Sequence, residues 1–448
     1  MLQSASANTK FDVMKKLAPF LERDMLASSF LITAVLSGRL SFASLIPLVE
    51  QPAFYLEFRF WTTGFAVLMS LRLITDIRQH LSAFLICTYA LLAYLVLRSL
   101  HLAGSGGQIA DAIYLAVQLT TLTVLASRAR CLSVIGGLAL FAAGGLFTLA
   151  LLGVNDEVHN GSGWAPIGGT ITFYRLEFFG FCIALYCFLG RPRITHLFML
   201  SVFFFGTWAS LSKVATVASL VALAPVFSIG LARHQFGRIA LLTLAILISY
   251  LVWQDRFGTT MRMRVAESVA VRTATAVVQP GSNLPGLKPG QDLEIRAEYC
   301  ISSTYQTPNC RSNSLVDQSG RLIMIAEALR GFIKSPVFGN GLGQYRVTSV
   351  NSSTRIEQAY LYPHNIIAEL LYSGGIVAIA LFLLLVGFAV SSHIPAMRRD
   401  PRNSAIVAFL IFILLSAFAS GDLYDLRLFL FASVALSALN CKAADAKN

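Results

Sequence analysis

The stretch Ile366-Ile-Ala-Glu-Leu-Leu-Tyr-Ser-Gly-Gly-Ile-Val-Ala-Ile-Ala-Leu-Phe-Leu-Leu-Leu-Val-Gly-Phe-Ala-Val390 decides the fold. Its one charged residue is Glu369. At about 1.5 Å per residue, a helix of this length exceeds the roughly 30 Å of bilayer hydrocarbon. Similar runs recur outward in both directions: Leu26–Val49, Phe58–Leu71, Leu81–Leu97, Ile109–Ala126, Leu132–Val154, Thr170–Leu189, Leu197–Leu211, Val214–Leu231, Ile239–Trp253, Ala405–Ser420 and Leu426–Leu439. The second and the Leu197–Leu211 run are short for a crossing. The chain is 56% hydrophobic and 13% charged, against roughly 25% charged in a soluble domain. The runs are too long and continuous for barrel strands. The expected class is therefore all-α: a polytopic membrane protein of about twelve transmembrane helices with one large periplasmic loop.

Charge between the runs sets an expected orientation. With the N-terminus inside, the cytoplasmic connections carry Arg72 and Arg78; Arg128 and Arg130; Arg191 and Arg193; Arg233 and Arg238; Arg398, Arg399 and Arg402; and Lys442 and Lys447. The short outer connections carry chiefly Arg98 and Lys213. This alternation is the positive-inside pattern and leaves both termini cytoplasmic. It also accounts for most of the formal +12 charge, so no nucleic-acid partner is inferred. The segment Met1–Asp24 is polar and basic, and no signal-peptide cleavage pattern is read in it. Three regions follow: 1–253, an N-terminal membrane region of about nine helices; 254–363, the periplasmic loop with an amphipathic helix; and 364–448, a C-terminal membrane region of about three helices.

Loops as long as 254–363 are usually functional. This one holds ten Arg and two Lys against eight acidic residues. Cys300 and Cys310 are its only cysteines. In an oxidising periplasm they are a candidate disulfide; the alternative is two free thiols. The odd total of 7 cysteines and their scattered spacing argue against a metal cluster. The stretch from Pro280 to Gly290 is Pro/Gly-rich and expected to be irregular. Residues 319–334 then show helical periodicity. Leu322, Ile325, Ala326, Leu329, Phe332 and Ile333 share one arc; Glu327, Arg330 and Lys334 share another. This predicts a helix on the membrane surface or packed on the bundle. Arg321 falls at the edge of the apolar arc, where a charge needs a partner.

Pro336 stops that helix, and Phe338-Gly-Asn-Gly-Leu-Gly343 follows. Three alternate glycines permit a tight turn and close backbone approach to a ligand. The Gly-Lys-Ser/Thr ending of a nucleotide loop is missing. Next comes Tyr362-Pro-His-Asn-Ile-Ile-Ala-Glu369. Pro363 suits the first turn of a helix. His364 and Asn365 would sit at the outer mouth of a span, with Glu369 a turn deeper, orienting Asn365 or meeting an Arg from another helix.

The order Arg321, helix, Pro336-Val-Phe-Gly-Asn-Gly-Leu-Gly343, His364-Asn365, then Gly375 resembles the O-antigen ligase and O-antigen polymerase family of membrane glycosyltransferases. About twelve spans with the large outer loop before His-Asn match as well. The resemblance implies transfer of a glycan from undecaprenyl diphosphate to a sugar hydroxyl, on lipid A-core in ligases or on a lipid-linked glycan in polymerases. It implies catalytic roles for His364 and Arg321, and places a further basic position at Ser212-Lys213. Lys213 stands where the family usually has Arg, keeping the charge but losing bidentate phosphate geometry. Ala378 stands where ligases have a second Gly. Both departures leave polymerases open.

These residue types suit that chemistry. Arg forks hold a diphosphate and stabilise its growing charge. A His can take the acceptor proton. A single displacement with one base and no obvious nucleophile implies inversion. No Asp-x-Asp occurs, so neither metal nor cofactor is expected. Candidate diphosphate-binding residues are Lys213, Arg175, Arg330, Arg262 and Arg264, with Asn365 and Glu369 supporting. Each has a plainer reading. His364 could only cap a helix, Arg321 could snorkel, and Lys213 could anchor a helix end. Arg175 and Glu177, inside a span, are functional or paired. Arg330 and Lys334 could form a solvated face, while Asp422, Asp425 and Arg427 could form a structural ion pair. His101 and His159 read as surface residues. A secondary transporter fits the helix count but not the lack of internal repeats. A scaffold protein would leave His364 without a role.

Overall fold

A computed structural model describes residues 23–37, 57–71, 82–102, 106–126, 129–153, 169–277, 324–325, 327–345, 347–350, 357–360 and 363–435. The elements are α1 (Arg23–Ser37), α2 (Phe58–Ser70), α3 (Ala83–His101), α4 (Gly106–Ala126), α5 (Ala129–Leu151), α6 (Gly169–Gly190), α7 (Ile194–Ala209), α8 (Lys213–Ala222), α9 (Ala224–Ala232) and α10 (Phe236–Val277). A short helix, α11, occupies the described residues 324–325 and 327–334. Then come β1 (Val347–Val350), β2 (Glu357–Tyr360), α12 (Ile366–Arg399), α13 (Asn403–Ser420), a 3-10 turn (Leu423–Leu426) and α14 (residues 427–435).

The protein is an all-α polytopic membrane protein; β1 and β2 form a small antiparallel pair in the loop region. The described residues of each apolar run singled out in the sequence fall on helices; 38–49 and 436–439 lie outside the described residues. Among the described residues, 7 helices are long and apolar enough to cross a membrane, fewer than the expected twelve. The two runs that looked short are short: α2 has 13 residues and α7 has 16. At about 1.5 Å per residue they fall below the hydrocarbon thickness, and helices so short need local bilayer thinning to cross. The run at Val214–Leu231 is divided at Leu223, where Pro225 starts α9. The run expected to end at Trp253 is the start of a 42-residue helix reaching Val277. No proline interrupts it before Pro280, so nothing in the chain stops it at the membrane boundary.

Lipid supplies no hydrophobic drive between helices, so association rests on close packing and interhelical bonds. Aromatic rings fill the centre. Phe178 of α6 stacks on Phe412 of α13 at 3.9 Å between ring centroids, and Phe179 on Phe409 at 4.5 Å. Trp208 ties α7 to two neighbours: its indole N–H donates to Ser219 of α8, and its carbonyl accepts from the Trp253 indole of α10.

The feature that positions the site is a break in α12. Gly375 has φ 61° and ψ −155° inside the helix. The break strips helix bonds from both sides of it, and the segment after α11 replaces them. Asn340 N–H donates to Tyr372 O and Gly341 N–H to Ser373 O, each at 2.8 Å; Ile376 N–H donates to Pro336 O at 2.9 Å. The Tyr94 hydroxyl of α3 donates to Gly374 O at 3.0 Å. The approach is tight enough to need glycine twice. A Cβ on Gly339 would lie 2.4 Å from Gly374 N, and one on Gly375 would lie 2.5 Å from Val337 O. Both also have positive φ. Arg98, expected as a mere connection charge, donates through Nε and Nη2 to Gly339 O at 3.1 and 2.8 Å. The glycine-rich turn expected to approach a ligand approaches a broken helix.

Gly375→Ala should therefore lower the melting temperature of the detergent-purified protein, with a backbone penalty of about 1–3 kcal/mol before any clash. Gly387 lies on the same helix with nothing near its Cβ position. Gly387→Ala should leave melting unchanged or raise it slightly. Equal melting of the two variants would contradict this account of the break.

Candidate functional site

The candidate site is built on the first turn of α12. His364 immediately precedes it with φ 52°. A non-glycine residue there is uncommon, and such strain persists only where surroundings hold it. Asn365 does part of that holding. Its side-chain oxygen accepts from Ala368 N–H at 3.0 Å, and its Nδ2 donates to Phe418 O at 2.6 Å. The first bond caps α12; the second ties it to the end of α13. One turn on, buried Glu369 accepts the backbone N–H of Leu423 at 2.9 Å through Oε2. Asn365 is thus oriented by the α13 carbonyl, and Glu369 reaches across to the 3-10 turn.

That turn is itself clamped. Asp422 and Asp425 form a reciprocal capping box around it. Buried Arg175 of α6 pairs with Asp425 at 2.8 Å and donates to Ser416 Oγ at 3.0 Å. Arg427 meets the same Asp425 oxygen at 3.3 Å and donates to Val35 O of α1 at 2.8 Å. The Tyr424 ring lies between two guanidiniums, Arg59 at 4.5 Å and Arg427 at 4.6 Å. Arg59 also pairs with Asp111 of α4 at 2.5 Å and with Glu57. Burial makes each of these pairs costly to break.

The sequence-derived candidates separate accordingly. His364, Asn365, Glu369 and Arg175 stand at one end of the bundle, called the His364 end below. Arg175 serves there in an ion pair. Lys213 is exposed at the start of α8, after Ser212 caps that helix through Ala215 N–H. Connectivity through α6 and α7 places it at the same end. Arg330 is exposed on α11 and pairs with Glu327. The α11 face that packs is Met324 and Ala328, against Tyr345 and Ala368, whereas Leu329 and Ile333 of the expected apolar arc are exposed. Ile325 of that arc packs beside Met324, and the Tyr372 ring closes over Gly331. Burial pushes the Tyr345 phenol up, keeping it a donor to Met324 O at 2.8 Å. Glu177 is fully buried with its carboxylate against Gly206 of α7. Arg262 and Arg264 fall on the α10 helix backbone. Arg321, Cys300, Cys310 and His159 lie outside the described residues.

Residues 196–383 match the O-antigen ligase family. The match supports assigning the protein to that family. It runs from α7 into α12 and contains Lys213, Arg330, His364, Asn365 and Glu369. The clamp contributed by α1, α2, α4, α6 and the 3-10 turn lies outside the ligase-matching segment. No curated protein and no solved structure matches the chain. Sequence reasoning missed Arg59, Asp111 and Tyr424. A signal existed, since Arg59 and Asp111 are charges within apolar runs, but nothing local links them to each other or to Tyr424, which is hundreds of residues away.

Asp425→Asn should destabilise the purified protein by on the order of 3–5 kcal/mol, because it leaves buried Arg175 without its carboxylate; Arg175→Gln should cost less, because Asp425 keeps Arg427. The double variant should lose less than the two single losses added. Strict additivity in thermal unfolding would show that the pair is not coupled.

Proposed function

We propose that the protein transfers a glycan from undecaprenyl diphosphate to a sugar hydroxyl on the periplasmic side of the bacterial inner membrane, as an O-antigen ligase. The observation that carries this reading is the family match over residues 196–383, with the capped, strained His364–Asn365 turn inside it. The match supports surface-polysaccharide ligase or polymerase activity in general. The donor, the acceptor and the roles of individual residues are our reading.

In this reading His364 takes the proton from the acceptor hydroxyl as its oxygen attacks the anomeric carbon. The bond from that carbon to the diphosphate breaks, and undecaprenyl diphosphate leaves with the electron pair. Arg321 and Lys213 hold the diphosphate and stabilise its growing charge, with Arg330, Arg262 and Arg264 as further cations on the same side. Asn365, Glu369 and the Arg175–Asp425 clamp keep the His364 turn in place. Preorganisation matters here because two bulky lipid-linked substrates must meet with little freedom. Both termini lie in the cytoplasm under this orientation. Lipid A-core is the proposed acceptor. Lys213 and Ala378, the two departures from the ligase pattern, are what favour a lipid-linked glycan acceptor and hence a polymerase as the second reading.

Deletion of the gene in its host, complemented with wild type, His364→Ala or Arg321→Ala at matched membrane levels, separates these readings. Loss of a general base lowers rate by roughly 10²–10⁴-fold. The expected result is bare lipid A-core on a gel, with long glycan retained on the lipid carrier. Core bearing single repeats, or short lipid-linked units, would make the protein a polymerase. A normal pattern from both variants would end the glycosyl-transfer reading.

A further inference from the structure

At the end of the bundle opposite His364, five helix termini meet through arginine. Arg238 of α10 donates to Leu189 O, at the end of α6, at 2.7 Å. The Arg402 side chain, at the start of α13, lies against Gly190 and over the Tyr186 ring of α6. Arg233, ending α9, donates to Arg398 O at the end of α12. Asp400, between α12 and α13, pairs with Arg402 at 2.6 Å. Burial alone would raise the Asp400 carboxyl; hydrogen bonds from the Arg402 side chain and backbone outweigh it and hold it below the usual carboxylate range. The one acid of this cluster is therefore already spent on Arg402, and Arg233 and Arg238 cap helix carbonyls.

Four guanidiniums remain: Arg191, Arg193, Arg398 and Arg399, all exposed. The described residues around them offer no further carboxylate. Exposed apolar side chains sit directly beside them: Ile194 and Phe198 next to Arg193, and Ile394 one turn before Arg398. These side chains mark where the apolar boundary of the bilayer lies beside the charges. A molecule with a phosphate head and an acyl tail satisfies both at one level.

We propose that this face is a docking surface for anionic phospholipid headgroups, with Arg191, Arg193, Arg398 and Arg399 as the phosphate contacts. Orientation rules explain why arginines collect on one side of a membrane. They do not by themselves join these helix ends through Arg233, Arg238 and Arg402, nor use up the acid beside them. Each basic residue near an anionic surface contributes attraction of about 1 kcal/mol. The proposal is independent of the glycosyl-transfer reading and of which leaflet this end faces.

The test uses the full-length protein in detergent. It is incubated with an equimolar mixture of phosphatidylglycerol and phosphatidylcholine, and retained lipids are counted by native mass spectrometry. Phosphatidylglycerol should be enriched by about tenfold over phosphatidylcholine, a preference that four such contacts can supply. It should fall when salt is raised. A variant carrying Arg398→Gln and Arg399→Gln should lose most of the enrichment, and one carrying Arg398→Lys and Arg399→Lys should keep it. Should the glutamine variant fail to insert, the wild-type preference and its salt dependence still decide. Equal retention of the two lipids, or full enrichment in the folded glutamine variant, would overturn the proposal. So would wild-type protein in which sn-glycerol 3-phosphate displaces the lipid, because the site would then read the phosphate alone.

Discussion

Hydrocarbon cannot hydrogen-bond a peptide group, so a helix broken at membrane depth must find replacement partners within the protein. In α12 the break at Gly375 finds them in the turn Pro336–Gly341. That exchange of backbone bonds fixes where the loop region re-enters the bundle. It sets α11 against the first turn of α12, because Met324 and Ala328 can reach Ala368 only if the turn behind them is seated. It also brings in α3, whose Tyr94 and Arg98 bond the same turn. Each unmet group would cost several kcal/mol in lipid, so the break and the turn form together or not at all.

The first turn of α12 is held from its other side by charge. Glu369 reaches Leu423, and the turn containing Leu423 is fixed by Arg175, Arg427 and Arg59. These arginines come from three separate parts of the chain and converge on a four-residue element. Arg175, read from sequence as either a substrate ligand or a paired charge, is engaged in a pair. The exposed cations are Lys213 and Arg330, the latter paired with Glu327. The site thus separates into buried charges that hold shape and exposed ones at its surface.

How much of this was legible in the sequence follows from how local each constraint is. Span positions were legible because hydrocarbon thickness imposes a length on every apolar run. The start of α12 was legible from the polar-to-apolar switch, while Pro363, expected in its first turn, stands two residues before the Asn365 cap. The membrane stretch of α10 was legible, since polarity changes at Trp253, close to the Phe257 end of the span; the helix's continuation to Val277 was not, because no local signal but the late Pro280 marks its end. The break at Gly375 was hidden: paired glycines are common inside membrane helices, and its partner lies more than thirty residues upstream. The Arg59–Tyr424–Arg427 stack was hidden for the same reason, at far greater separation. On α11 the wheel showed an apolar arc of which Ile325 packs on the bundle while Leu329 and Ile333 stay exposed.

The clamp also has a consequence in time. Chains emerge from the ribosome N-terminus first. Asp425, Tyr424 and Arg427 emerge after α1, α2 and α6, which carry the Val35 carbonyl, Arg59 and Arg175 that they meet. Until Asp425 arrives, Arg175 is a cation without its counterion inside an otherwise inserted bundle. The His364 turn therefore sets only after the 3-10 turn has arrived, and a chain cut short before Asp422 would assemble its helices around an unlocked site.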